Sequence, residues 1–395
     1  MGGDDTTYDH IVVGGGLCGC VVAARTKHSF PDRTVALIEI GSDARKSRTL
    51  GGGSAVNYGA WTRGDRSGYD EWATTVGDER WSYNGRLPYF KRAETYPLLQ
   101  DKNNHGYEGP IHLSSGGRGY PLRDHVRDAM LAVRLPFNPD HNCGNSHGVS
   151  PLVESWHDGD RSFAAKTYGL NGVKLFTDSQ VATVMVRQKK VTGIRLVNNR
   201  TLHARIETIV SCGAIRTPQL LTLSGIGRSD ELARLEIPVQ VESEEMGWNL
   251  HDHPSLSFWS PPRTPEAGLA VGSDNFMANS KNLDGKPMDW FSNASASQLE
   301  MGNAAKVDGR PSLREDDIEI SCIADPFDQP VVDPNYLGTE HDRAVLRASV
   351  RLALKIMESP AGKRVVNSEL PPSQFSPLNS KSSDDVLDER IRAGA

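Results

Sequence analysis

The sequence predicts an α/β protein: a doubly wound nucleotide-binding domain joined to a second, mixed layer. Three observations carry this. An apolar run, Ile11 to Val13, turns directly into a glycine cluster, Gly14-Gly15-Gly16-Leu17-Cys18-Gly19. A second apolar run, Val35 to Ile38, ends in an acid, Glu39. A third, Ile206 to Cys212, again passes through glycine, Gly213, into a helical stretch reaching Leu223. Strand, glycine turn and helix in alternation is the pattern of a parallel sheet covered by helices.

The first unit is the most informative. Gly14-x-Gly16-x-x-Gly19 sits between a buried strand and a helix read over Val21 to Thr26. Glu39 follows Gly19 by 20 positions. This is the dinucleotide-binding fingerprint in the context it requires. Gly14 permits a tight turn, Gly16 admits a pyrophosphate close to the backbone, and Gly19 allows helix and strand to pack closely. The helix start offers unpaired N–H groups and the positive end of its dipole to phosphate oxygens. Glu39 would accept hydrogen bonds from a ribose without a 2′-phosphate. The fingerprint by itself does not separate FAD from NAD.

A second glycine cluster follows: Leu50-Gly51-Gly52-Gly53-Ser54-Ala55-Val56-Asn57-Tyr58-Gly59-Ala60-Trp61. Four small residues in a row let the backbone press against something flat or anionic, and Asn57 can both donate and accept. Trp72, Trp81, Tyr83, Tyr89 and Phe90 are read as packing. Helices are expected over Leu87 to Glu94 and Pro121 to Leu131, and Phe137 to His147 reads as a solvated polar loop. Strands are expected over Val173 to Phe176, Gln180 to Arg187 and Lys190 to Val197, the last two forming a hairpin turning near Gln188-Lys189. In the βα turn after Cys212, Thr217 is placed to cap a helix and Pro218 to open it. His251-Asp252-His253 invites a metal reading, but i and i+2 ligands need partners that the sequence does not supply, so no metal is assigned. Ser260 to Asp317 is poor in apolar residues and reads as irregular surface or a substrate-facing layer. Leu346, Ser349, Val350, Ala353 and Met357 recur at helical spacing up to Pro360, and Ser383 can cap a last helix, Asp384 to Arg392.

Composition narrows the function. The chain has 395 residues and a net charge of −6. No run dense in Lys or Arg appears, which argues against nucleic acid or an acidic membrane surface as partner. No apolar run approaches the ~18 residues of a spanning helix. Five scattered cysteines suit free thiols in a reducing compartment, and Met1 to Thr7 is too polar for a secretory leader, so the expected location is the cytoplasm.

Five stretches, in order along nearly the whole chain, resemble the glucose–methanol–choline (GMC) oxidoreductases. They are "YDHIVVGGGLCGCVVAARTKHSFPDRTVALIEIG", "LGGGSAVNYGAWTRG" with the "YDEWATTVGDERWSYNGRLPYFKRAE" that follows, "GAIRTPQLLTLSGIG", "MGWNLHDHP" and "DPFDQPVVDPNYL". The resemblance implies a Rossmann-like FAD-binding domain over 1–125 and 173–255. It also implies an α+β substrate-binding region on an antiparallel sheet over 126–172 and 256–324, and a partial C-terminal region over 325–395. FAD is the implied cofactor. Gly14, Gly16, Leu17, Cys18 and Gly19 would hold its pyrophosphate and Glu39 its adenosine ribose. Gly52, Gly53, Ser54, Asn57, Tyr58, Gly59 and Ala60 would line the flavin side, and the Val181 backbone would meet the adenine. The implied chemistry is oxidation of a small alcohol, or of a secondary-metabolite hydroxyl, by hydride transfer to flavin N5 while a base takes the hydroxyl proton.

The sequence departs from that family in three places. Only Ser42 to Thr49 separate Gly41 from Leu50, where the family has several dozen residues, and a second shortfall precedes Asp325. "SDDVLDERIRAGA" is similar to the helix before the family's His-bearing motif, and that motif has no counterpart after it. His105, His112, His251 and His253 match other family segments, so no catalytic residue is assigned. The alternative expectation is a non-catalytic or repurposed homologue, or a fragment, that binds FAD or a ligand without turnover. The oligomeric state is not readable.

Overall fold

The computed structural model of the chain describes residues 7–41, 49–57, 59–115, 121–248, 250, 255–259, 276–279, 292–295, 298–302, 319–321, 325–328, 330–333, 337–369 and 371–394. The chain divides into two units. Unit 1 takes Met1–Gly59, Asp158–His251 and Ser312–Asn335, and unit 2 takes Ala60–His157, Asp252–Pro311 and Tyr336–Ala395. Residues 60–125, grouped with the nucleotide-binding domain on sequence, cluster with unit 2.

Unit 1 is built on β1 (Thr7–Val13), α1 (Leu17–Ser29), β2 (Val35–Ile38), β3 (Lys174–Phe176), β4 (Val181–Arg187), β5 (Lys190–Leu196), β6 (Thr201–Val210) and α2 (Gly213–Leu223). The sheet order is β3-β2-β1-β6-β5-β4. The first four strands run parallel, while β4, β5 and β6 join antiparallel. All four residues of β2 are buried, as a central parallel strand with both faces covered requires. Between β4 and β5, Gln188 and Lys189 both take positive φ (49° and 59°), the two-residue turn whose twist suits a hairpin.

Two local expectations change. β6 begins at Thr201, not Ile206, and Ile206 is exposed on it. The ladder to β5 recruits Thr201, Leu202 and His203 through backbone hydrogen bonds, which do not require apolar side chains. α2 begins at Gly213, so Thr217 does not cap it and Pro218 lies within it. Gly213 adopts φ +83°, which lets the chain reverse at the strand end and start the helix at once. Pro218 then forgoes one intrahelical hydrogen bond.

Unit 2 carries a five-stranded antiparallel sheet in the order Ser255–Trp259, Gln298–Gly302, Ser292–Ser295, Phe276–Asn279, Gly148–Pro151. Three of these strands arise within 260–317, whose composition reads as irregular surface or a substrate-facing layer and which the resemblance assigns to a region built on an antiparallel sheet. The strand Ser292–Ser295 is Ser-Asn-Ala-Ser, which gives no alternating apolar signal, yet its backbone pairs on both sides. The other residues of 260–317 lie outside the described residues. The core is helical: Val350 and Leu354 of the helix Glu340–Glu358 join Val126 and Met130 of the helix Pro121–Ala132, and Leu387 and Ile391 of the helix Asp384–Gly394. Thr339 and Asp342 form a reciprocal capping box at the start of Glu340–Glu358. Tyr69 meets Phe90 and Tyr83 edge-on at 5.5 and 5.9 Å between ring centres, so these aromatics pack on one another.

The expected solvated loop, 137–147, is instead largely buried: Asn138, Asp140, His141 and Asn142 are all shielded from solvent. Polarity is a poor guide here because the partners are distant in sequence. Asn142 Oδ1 accepts from the Arg63 N–H (2.9 Å), and Arg63 is also ion-paired to buried Glu94. His105 Nδ1 lies 2.9 Å from Glu94 Oε1, and its Nε2 lies 2.8 Å from Asp140 Oδ2. A neutral imidazole has one N–H, so two carboxylate contacts call for the imidazolium. Burial disfavours that charge, but the hydrogen bonds to Asp140 and Glu94 and their negative charges outweigh it and hold the His105 pKa above its ordinary value. Tyr96 stacks on the ring at 3.6 Å.

Candidate nucleotide-binding site

The site assembles at the carboxyl ends of β1, β2 and β6, where ligands of open α/β sheets lie. Gly14 directly follows β1 with φ +95°, and a Cβ there would stand 2.5 Å from the Ser211 carbonyl oxygen. Ser211 follows β6 and donates its hydroxyl to the carbonyls of Val13 (2.9 Å) and Gly14 (3.0 Å). The two βα turns are thereby locked side by side. A Cβ on Gly19 would come within 1.8 Å of the Gly14 carbonyl oxygen, so α1 reaches β1 only because Gly19 has no side chain.

Gly16 behaves differently. It is the residue before α1, no side chain caps the helix there, and a Cβ on it would meet no protein atom within 4 Å. Leu17 and Cys18, in the first turn of α1, are exposed. The end of α1 thus presents backbone to open space, with the dipole's positive end outward. Cys20, one turn along, is buried and donates its thiol to the Gly15 carbonyl (3.2 Å); burial pushes its pKa up to about 11.

Glu39 lies directly after β2 and is 6% exposed. Its Oε2 accepts from the Gly15 N–H and its Oε1 from the Gly41 N–H, both at 2.8 Å. Each carboxylate oxygen retains a further lone pair for a ligand hydroxyl. Ser179 donates its N–H to the Glu39 carbonyl (2.9 Å), which brings the start of β4, and with it Val181, to this corner of the sheet.

The second glycine cluster docks on the first. Gly51 N–H donates to the Gly15 carbonyl at 2.7 Å, and a Cβ on Gly52, whose φ is +51°, would stand 2.8 Å from Gly16 Cα. Gly53 opens the short helix Gly53–Val56 and, like Gly16, has nothing within 4 Å of its would-be Cβ. Ser54 donates its hydroxyl to the Gly51 carbonyl (2.6 Å). Asn57 is exposed, and its Oδ1 accepts from the Gly59 N–H (3.0 Å). Gly14, Gly16, Leu17, Cys18, Gly19, Glu39, Gly52, Gly53, Ser54, Asn57, Gly59 and Val181 therefore all belong to unit 1, whereas Ala60 falls in unit 2, bridging to Glu154. Tyr58, His251, Asp252 and His253 lie outside the described residues.

The sequence reading missed the stretch that carries the second cluster. The Phe163 ring lies against Gly51, 2.8 Å from where a Cβ would be. The Ala164 N–H donates to Ser54 Oγ (3.3 Å), and Arg161 Nη1 donates to Asn57 Oδ1 (2.7 Å). "DRSFAA" bears no motif, and its partners lie over 100 positions away, so no local signal could have found it.

An absent Cβ at Gly16 and at Gly53, beside an exposed helix start and a buried acid, fits a dinucleotide with its diphosphate against α1. Family models described as GMC oxidoreductase match residues 8–255 and 315–395. The GMC-type oxidoreductase acuG of Aspergillus aculeatus is 33% identical, covering 98% of this chain and 87% of that protein. That alignment runs over 471 positions, more than this chain's 395 residues, so the relative carries segments that this chain lacks. An oxygen-dependent choline dehydrogenase of Burkholderia lata is 27% identical, with 98% and 82% covered. The crystal structure of pyridoxine 4-oxidase from Mesorbium loti superposes with a TM-score of 0.84 at 23% identity, covering 98% of this chain and 86% of that one. Among the described residues, no helix is long and apolar enough to cross a membrane. The two glycine clusters, the acid after β2 and the match of both family models make this chain a member of the GMC oxidoreductases, a family of FAD-dependent flavoproteins.

Proposed function

We propose that this chain binds FAD and oxidises a small-molecule alcohol. The observation that carries the reading is the docking of the second glycine cluster on the first, with Gly16 and Gly53 left open on the joined surface. The backbone N–H groups of Leu17, Cys18 and Gly19 bind the diphosphate, helped by the α1 dipole. Glu39, oriented by Gly15 and Gly41, accepts from the ribose hydroxyls. Val181 meets the adenine. Gly52, Gly53, Ser54, Asn57 and Gly59 form the wall on the flavin side. When bound, FAD supplies a hydride acceptor for the carbinol carbon. The alcohol class is supported by the family and by a relative named for choline, itself a primary alcohol. The electronegative chain, net −6, suits a neutral or cationic small molecule better than nucleic acid.

Purified protein should show flavin absorbance that is released on denaturation, and anaerobic addition of alcohols should bleach it. A protein that stays colourless after incubation with FAD would overturn the cofactor assignment. A flavin-loaded protein that no primary or secondary alcohol bleaches would overturn the oxidation and leave a binding protein.

A further inference from the structure

Arg161 lies within the span that the family model matches but outside the stretches that carry the resemblance, and it reaches the second glycine cluster. Its Nη1 lies 2.7 Å from Asn57 Oδ1, and the Gly59 N–H donates to the same oxygen at 3.0 Å. Arg and a backbone N–H can only donate, so the amide must present its oxygen to them. The Asn57 carboxamide is therefore held in one orientation. Its Nδ2 has no partner among the described residues, on a side chain exposed to solvent. Two residues further along, Phe163 packs on Gly51, and Ala164 holds Ser54, so the Arg161 backbone is anchored to the same loop. The neighbouring Asp160 is ion-paired to Lys166.

We infer that Arg161 is a positioning residue for the flavin side of the site: it fixes the Asn57 carboxamide so that its Nδ2–H2 is the donor offered to the cofactor. This rests on the proposed function. Without Arg161 the Gly59 N–H is the one remaining donor to the amide oxygen among the described residues, the carboxamide turns more freely, and a carbonyl oxygen facing an acceptor repels it. A guanidinium does this better than an ammonium because its planar fork loses less freedom on bonding. The arrangement needs no contact between Arg161 and the cofactor.

The test uses the full chain stripped of flavin and titrated with FAD. Arg161→Ala should weaken FAD binding about tenfold, the loss expected for one hydrogen bond to a charged group, and Asn57→Ala should do the same. The double variant should be no weaker than either single one, because both remove one interaction. Arg161→Lys should restore most of the affinity. The visible circular dichroism of bound flavin should change in Arg161→Ala and return in Arg161→Lys, which a loss of stability alone would not produce. Without ligand, the Asn57 side-chain amide resonances should shift in Arg161→Ala. Should that variant fail to fold, Arg161→Gln, which keeps a donor but no charge, decides the same question. Wild-type affinity and dichroism in the Arg161 variants, or losses that add in the double variant, would overturn the inference and leave FAD binding intact. A wild-type chain that binds no FAD would sink the proposed function, and this inference with it.

Discussion

The Gly51 N–H donates to the Gly15 carbonyl at 2.7 Å, joining two glycine clusters separated by 36 positions. That bond, with the close approach of Gly52 to Gly16, joins the two loops into one surface. It also explains why glycines in the same clusters should tolerate substitution so differently.

Gly52→Ala should unfold the junction. It would place a side chain at φ +51° and 2.8 Å from Gly16 Cα. A destabilisation of about 1–3 kcal/mol is expected from the backbone conformation, with flavin lost from the purified protein. Gly16→Ala should behave in the opposite way, because its Cβ meets no protein atom. The flavin-free melting temperature should hold within about 2 °C, a surface-like change, while FAD affinity falls at least tenfold. Equal FAD binding by Gly16→Ala would place the diphosphate elsewhere.

Glu39→Gln probes the acid after β2. Glutamine keeps one acceptor oxygen but turns an NH2 group toward one of the two N–H donors, Gly15 or Gly41. The expected cost is about 2 kcal/mol in urea unfolding, in the range for hydrogen bonds to a charged group, together with weaker FAD binding. Unchanged unfolding would mean that the carboxylate does not hold the glycine loop.

His105 sets the alkaline limit of unit 2. Its folded pKa is raised, so the stabilisation from the imidazolium is fully present below the unfolded value of about 6.5 and is lost as pH rises through the folded value. The melting temperature should therefore fall on the alkaline side, and His105→Gln should remove that slope while lowering stability throughout. Removing the cation from between Glu94 and Asp140 should cost about 3–5 kcal/mol, as for a broken buried ion pair. A melting curve independent of pH from 6 to 10 in the wild type would refute the imidazolium.

His141 sets an acid limit by the reverse logic. It is 1% exposed, and burial pushes its pKa down from 6.5 to about 4, against the pull of Asp140. The unfolded chain therefore takes up the proton first as pH falls. Stability is complete above about 6.5 and is lost toward pH 4 by about 3 kcal/mol. Asp140, whose pKa is lowered by His105 against the cost of burial, loses its own contribution further down the same acid arm. Urea titrations at intervals from pH 7 to 4 should show the loss, and His141→Leu should flatten its upper part.

Much of the fold could be read locally. Val35 to Ile38, the Gln188-Lys189 turn and the stripe through Val350 and Ala353 appear where the residues put them, because apolar runs, glycine turns and helical spacing are properties of neighbouring positions. The same holds for Gly14, Gly16, Gly19 and Glu39, whose spacing along one βαβ stretch decides their geometry. Strands of Ser and Asn at 292–295 left no such trace, since their pairing is made by backbone.

By itself, then, the sequence determined the family, the parallel sheet of the α/β unit and the first glycine turn with the acid after β2. The tertiary structure alone decided three further things: that Gly51 closes on Gly15, that Arg161 to Ala164 carries the second cluster, and that the polar stretch around Asp140 is buried against the His105 ring. The physical reason is the same in each case. These are contacts between residues 35 to more than 100 positions apart. Their residue types are polar or small, and such residues carry no periodicity to announce which partner the fold will bring.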